Sequence, residues 1–332
     1  MNQLPLYPMR FEPIFQYRLW GGRRLADILS TPLPGDKPIG EAWILSDRDD
    51  FSSQVSNGAL TNRTLTQLME DFPDQMMGAL AENYPRFPLL LKFLDASEML
   101  SVQVHPSDAQ TELLPPGERG KTEAWVVLET DSRSQIYAGL SPETTPDTLR
   151  RALAGQTLGQ FLPSFTPKPG DAVFIPAGTV HTLGGGVVVF EVQENSDVTF
   201  RLSDWNRIDP KTGKSRELSV DKAFESIDFK QGVDHPVIPV VLATEPAHRE
   251  RLFQCNHFGL NRILGEKPFS VGMDGEPRVL VCLEGSGQVE HDGADYDIGK
   301  GDVMLLPASI GECTLRPSSL ITVLEISIPD LA

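Results

Sequence analysis

A chain of 332 residues with 40% hydrophobic content is long enough for two domains, each with its own core. Its formal net charge of −17, from 29 Lys and Arg against 46 Asp and Glu, argues against nucleic acid or an anionic membrane as partner, because both need basic surface. There is no secretory h-region and no apolar run long enough to span a bilayer. The three cysteines (Cys255, Cys282 and Cys313) are widely spaced and suit free thiols in a reducing, cytoplasmic setting, not a disulfide framework or a zinc ribbon.

With 28 Gly and 27 Pro among short Val, Ile and Leu runs, the composition predicts strands and turns more than long helices. The first sixty residues give short segments broken by Pro and Gly, among them Gly40-Glu41-Ala42-Trp43-Ile44-Leu45, a strand with Trp43 and Leu45 on one face. Trp20 and Trp43 read as core or rim aromatics. Between residues 61 and 84, Leu65, Leu68, Met69, Phe72, Met76, Met77 and Leu80 recur at helical spacing, and Pro73 divides them into two short helices.

Strand character returns at Leu89–Leu94 and again at Leu100–His105. In the second run Ser101, Gln103 and His105 share one face, and Val102 and Val104 the other, which taken alone suits a half-exposed edge strand. Lys121-Thr122-Glu123 then leads into another strand, and residues 145–163 predict two short helices joined near Gly155. From Gly170, the run Gly-Asp-Ala-Val-Phe-Ile-Pro-Ala-Gly-Thr-Val-His reads as turn, buried strand, tight turn and a histidine at a fixed place, His181. Val187–Val192 carries Glu191 inside an otherwise apolar strand, and a buried carboxylate is rare unless paired or functional. Arg201 follows, then a loop-rich stretch with one short helix at Val220–Ser226.

From about residue 236 the pattern repeats. Gly301-Asp302-Val303-Met304-Leu305-Leu306-Pro307-Ala308 copies Gly170–Ala177, so two copies of one barrel are expected, one in residues 1–235 and one in 236–332. In the second copy Glu312 stands at the place of His181 and Arg278 at that of Glu123, and neither His257 nor His291 falls in the metal spacing. That barrel is expected to be metal-free and apolar inside, with Arg278 and Glu312 paired to each other or to water.

The spacing Gly-x5-Pro-x-Gly-x2-His resembles the second motif of the cupins, whose histidine binds a metal inside a small jelly-roll barrel. The blocks Trp20-Gly21-Gly22, Gly40–Trp43, Leu91–Leu94, Leu100–Pro106, Lys121–Glu123, Pro176–His181 and Glu191-x3-Asn195-Ser196-Asp197-x3-Arg201 resemble, in order, those of the type I mannose-6-phosphate isomerases, in their short bacterial form. The resemblance implies two cupin-type barrels, the first a catalytic metal-binding domain and the second degenerate. It implies one Zn²⁺ held by Gln103, His105, Glu123 and His181. It also implies an active-site arginine at Arg201, Glu191 and Lys121 beside the sugar, and phosphate contacts from Ser101 and Lys92. Thr122 replaces the proline of the longer members. The implied reaction interconverts mannose 6-phosphate and fructose 6-phosphate through an enediol, so the partner is a small sugar phosphate. The residues alone leave open another metal-dependent cupin enzyme, such as an iron dioxygenase, and a non-catalytic sugar-phosphate binder. They say nothing of oligomeric state.

Overall fold

The structure, a computed structural model, describes residues 5–233 and 235–330. It is mainly β, with short helices only, and its strands form four antiparallel sheets. Six strands make the large sheet of the first barrel, in the order Ile14–Gly22, Ile39–Leu45, Leu89–Ala96, Val187–Glu194, Glu123–Glu129 and Ala172–Ile175. Facing it is a smaller sheet ordered Phe200–Ser203, Val102–Val104, His181–Leu183, Ile136–Ala138 and Ser164–Phe165. Leu94, Trp125 and Val189 of the large sheet meet Ile136, Ala138 and Leu183 of the small one in a shared apolar cluster, which closes one end of the barrel.

The second barrel repeats this jelly-roll arrangement with a seven-stranded and a four-stranded sheet. The register shows the repeat residue by residue. Glu123 lies opposite Ile175, and Arg278 opposite Leu306; Glu191 lies opposite Trp125, and Glu325 opposite Leu280. One strand crosses between the units: Met9–Arg10 pairs with Val303–Leu306 and completes the edge of the second barrel's large sheet.

The large sheet of the first barrel is buried on both faces. Lys92, Leu94, Trp125 and Glu191 look into the barrel, whereas Leu91, Phe93, Val126 and Phe190 pack into a core continuous with Leu260, Val281, Leu305 and Val323 of the second. This explains the near-continuous apolar runs of Leu89–Leu94 and Val187–Val192. The helices are local. Leu65–Asp71 starts at a capping box made by Thr64 and Gln67, and Pro73 opens the next helix, Pro73–Met77, as the sequence predicts. Pro146–Ala154 and Val220–Ser226 cover the outer face of the small sheet, burying Val102, Val104, Leu149, Ala223 and Phe224 together. The run Val102–Val104 is therefore no half-exposed edge strand. It lies between two neighbours, with its valines under helices and Gln103 on the barrel side.

The two Gly-Asp turns each rest against the opposite barrel. The carbonyl of Gly170 accepts a hydrogen bond from Arg262 Nη1 at 2.7 Å. Gly301, at φ +88, would carry a Cβ 2.2 Å from the carbonyl oxygen of Ile28, at the N-terminal side of the molecule. Both the left-handed backbone and this close approach demand glycine. Gly301→Ala is accordingly expected to destabilise the fold by on the order of 3 kcal/mol, read as a lowered denaturation midpoint. An unchanged midpoint would show that the barrels can separate here without cost.

Candidate active site and metal centre

Strand register builds the site as two facing rows. Across the small sheet Arg201, Gln103 and His181 are direct neighbours. Across the large sheet the row runs Trp43, Lys92, Glu191 and Trp125. His105 continues the polar face of its strand two residues past Gln103, and Glu123 opens the strand that carries Trp125. Two-residue periodicity thus brings into one cavity side chains as distant in sequence as Lys92 and Arg201. The cavity has a volume of about 320 Å³ and is lined by Lys92, Gln103, Lys121, His181, Glu191 and Arg201 among others.

His105, Glu123 and His181 form a group able to hold a metal ion, their ligand atoms all within 4.8 Å of one another. Each imidazole is fixed from behind: His105 Nδ1 donates to the Val198 carbonyl at 2.7 Å, and His181 Nδ1 to that of Thr179 at 2.9 Å. In the neutral ring this leaves both Nε2 atoms as acceptors. Burial, then the charge of Lys121, pushes His105 well below the usual histidine range, so it is neutral. Glu123 Oε1 is buried without a hydrogen-bond donor and faces His181 Nε2 at 3.2 Å; Glu123 Oε2 lies 3.5 Å from His105 Nε2. Acceptors turned toward each other at such distances repel unless a cation lies among them. Two imidazole nitrogens and one carboxylate are a donor set that suits a borderline divalent ion. The residues present fit a metal.

Gln103 completes the row at 3.2 Å from His181 Nε2, through its amide nitrogen. Ser101 donates to Gln103 Oε1 at 3.1 Å and is buried behind it, away from the cavity lining. Thus Ser101, expected at a phosphate, does not line the cavity. Lys92, by contrast, lines the cavity and pairs with Glu191 at 3.1 Å.

Charge is concentrated here. Lys121 Nζ binds Glu123 Oε2 and lies 3.2 Å from His105 Nε2 and 3.4 Å from Glu191 Oε1. Burial lowers the Lys121 pKa, but the carboxylates of Glu123 and Glu191 outweigh it and raise it above the ordinary lysine value. Burial would likewise lift Glu123, yet the charge of Lys121 holds it well below the usual carboxylate range. Glu191 goes the other way: burial, then the nearby charge of Glu123, raises it despite Lys92 and Lys121. Its Oε2 accepts from Trp125 Nε1 at 2.9 Å, and Arg201 is not its ion-pair partner. Arg201 lines the cavity with its Nε buried and without a hydrogen-bond partner. Its pKa is lowered, by burial and then by Arg216. A chain of net charge −17 lines this cavity with five cationic side chains (Arg18, Lys92, Lys121, Arg201, Arg216) against four anionic ones (Glu41, Glu191, Asp197, Asp209).

Glu41 and Arg18 escaped the sequence reading. Glu41 accepts from Arg18 at 2.9 and 3.0 Å and from Trp43 Nε1 at 2.7 Å, and it lies 3.9 Å from Lys92. The signal was the one that marks Glu191: a lone carboxylate inside an apolar strand, here Ile39–Leu45.

The second barrel holds no such acceptor set at the equivalent positions. Arg278 pairs with Glu276 at 2.8 Å, and Glu312 accepts from Ser270 at 2.8 Å, so these two, expected to pair with each other or with water, each meet another side chain. Nor is the interior wholly apolar, since buried Glu325 binds the Gly272 N–H at 2.9 Å and Arg249 at 3.4 Å.

Burial pushes the Glu41 carboxyl up, but Arg18 and Lys92 prevail and hold it at about 2, against 4.5 for a free side chain. A depressed carboxylate contributes stability that is complete above the unfolded value and is lost as pH falls through the folded one. The stability difference between the native chain and Glu41→Gln, measured by urea denaturation, should therefore be largest above pH 4.5 and shrink steadily toward pH 2. A difference that grows on acidification would show that Glu41 is not ionised in the fold.

Residues 9–125 match the family described as phosphomannose isomerase type I, catalytic domain. The mannose-6-phosphate isomerase ManA of Bacillus subtilis is 35% identical over 322 residues, covering 93% of this chain and 96% of that protein. The probable mannose-6-phosphate isomerase GmuF of the same organism is 34% identical over 316 residues, with the same coverage. The crystal structure of a mannose 6-phosphate isomerase from Bacillus subtilis superposes with a TM-score of 0.88 at 29% identity, covering 97% of this chain and 99% of that one. Sequence and fold agree, and the chain belongs to the type I phosphomannose isomerases, a family of aldose–ketose isomerases.

Proposed function

We propose that the chain interconverts mannose 6-phosphate and fructose 6-phosphate by proton transfer through an enediol, with one zinc ion held by His105, Glu123, His181 and Gln103. The observation that carries this reading is the buried set of three inward acceptors, His105 Nε2, His181 Nε2 and Glu123 Oε1, beside a cavity of sugar size rich in cations. When bound, the ion would supply Lewis-acid stabilisation of negative charge developing on the substrate. Gln103 joins the ligands if its amide turns by 180°, and Ser101, whose hydroxyl both donates and accepts, then still orients it.

The remaining roles belong to the chain's own side chains. Moving a proton between C1 and C2 needs a base that can take it up and give it back. Glu191, raised by burial and set on a rigid strand, is that base. Lys121, kept protonated between Glu123 and Glu191, stabilises the anionic enediol from one side. Arg201 offers its unpartnered guanidinium from the facing sheet. Lys92 lines the same wall and, with Arg18 and Arg216, suits the phosphate. Trp125 places its edge on His181, ring centroids 5.5 Å apart, and donates to Glu191, so one residue fixes both. Three free cysteines are consistent with a cytoplasmic setting.

A coupled assay following fructose 6-phosphate from mannose 6-phosphate tests the activity directly. Arg201→Ala should lower turnover by about two orders of magnitude or more and leave the metal content unchanged, because Arg201 stabilises charge and is no ligand. Near-native turnover in that variant would remove Arg201 from the mechanism; absence of turnover in the native chain, metal-loaded, would refute the reading as a whole.

A further inference from the structure

A second cluster lies just outside the cavity, where the two barrels meet. Asp108, Glu194 and His257 bring acceptor atoms within 4.8 Å of one another. Two of them already hold the backbone of the segment that leads to the site. Asp108 Oδ1 accepts from the Gly120 N–H at 2.8 Å, and Glu194 Oε2 from the Thr122 N–H at 2.7 Å. Glu194 also donates its own N–H to the Thr122 carbonyl at 3.2 Å. Thr122 is thus gripped at both ends of its peptide by one residue. Its chain neighbours are Lys121, whose side chain lines the cavity, and Glu123, which belongs to the group with His105 and His181.

His257 comes from the other barrel, in the turn between the strands His248–Gln254 and Gly259–Gly265. Its Nδ1 stands 3.1 Å from Glu194 Oε1. That carboxylate is only 4% exposed, and its Oε1 makes no hydrogen bond, so the ion-pair contact with His257 is what faces it there. The turn itself is rigid. Cys255 N–H bonds the Phe258 carbonyl at 3.0 Å, Phe258 is fully buried, and Phe253 stacks on Phe174 of the first barrel with centroids 5.5 Å apart. With an oxygen on each of Asp108 and Glu194 already bound to backbone N–H groups, the cluster is built as an anchor, not as an open cation site.

We infer that His257 is a positioning residue for the isomerase reaction: by holding Glu194, it fixes Thr122 and with it the placement of Lys121 and Glu123. Without His257, the buried Glu194 carboxylate loses the imidazole beside its Oε1 and turns to find a partner at the expense of the Thr122 N–H. This rests on the roles of Lys121 and Glu123 proposed above. It gives the second barrel a task in catalysis although no ligand comes from it.

The test compares His257→Ala, His257→Asn and a control, Val289→Ala, which opens a cavity in the second barrel far from this contact. His257→Ala should lower kcat about tenfold with KM for mannose 6-phosphate little changed, and should speed loss of the bound metal to a chelator. His257→Asn, which keeps a donor near the Nδ1 position, should restore both. Val289→Ala should lower the melting midpoint and leave kcat and metal loss as in the native chain. The inference falls if His257→Ala behaves like Val289→Ala, if His257→Asn fails to rescue, or if the native chain binds a second metal that His257→Ala loses. Lys121→Met separates this from the reading beneath it: full activity there would overturn the role of Lys121, whereas inactivity there with normal His257→Ala kinetics would overturn only the role of His257.

Discussion

Three acceptors buried against one another, with cations packed around them, set the terms for the rest of the molecule. His105, His181 and Glu123 are each held from behind, two by backbone carbonyls and one by its strand, so none can turn away to water. Such a group is costly to bury unless positive charge lies among it. Lys121 answers part of that need and is itself raised above its usual range by the carboxylates around it. The barrel must therefore be rigid enough to hold opposed charges at fixed separations. Its large sheet, buried on both faces between the cavity and the second barrel, provides that rigidity.

The two barrels carry different side chains on the same scaffold. Register places Arg278 where Glu123 stands, Glu325 where Glu191 stands, Asn261 where Lys92 stands and Arg249 where Glu41 stands. A cation thus stands at the position of the Glu123 acceptor, and the buried carboxylate Glu325 is held by Arg249 and a backbone amide. Nothing at those positions calls for a metal. What the second barrel retains is its packing against the first, through Phe253 on Phe174, Arg262 on the Gly170 carbonyl and Gly301 against Ile28.

Much of this was legible in the chain. Strand period two put Ser101, Gln103 and His105 on one face, and the repeated Gly-Asp-apolar-Pro-Ala turn disclosed the duplication, because both depend on local backbone rules. The broken helices around Pro73 and Gly155 followed from the same rules. What depends on long-range register was not legible. The pairing of Glu41 with Arg18, the burial of Ser101 behind Gln103, and the contact of His257 with Glu194 each join residues whose approach is set by sheet order and barrel closure, not by neighbours in sequence. The strand Val102–Val104 looked like an edge for the same reason: the helices that cover its valines come from 146–154 and 220–226.

The central claim is that one cation belongs among His105, Glu123 and His181 and none in the second barrel. Crystals of the metal-loaded protein, measured on either side of the zinc absorption edge, test it most directly. The account predicts one strong anomalous peak bounded by His105 Nε2, His181 Nε2 and the Glu123 carboxylate. No peak among those three donors, or a well-occupied one inside the second barrel, would contradict it.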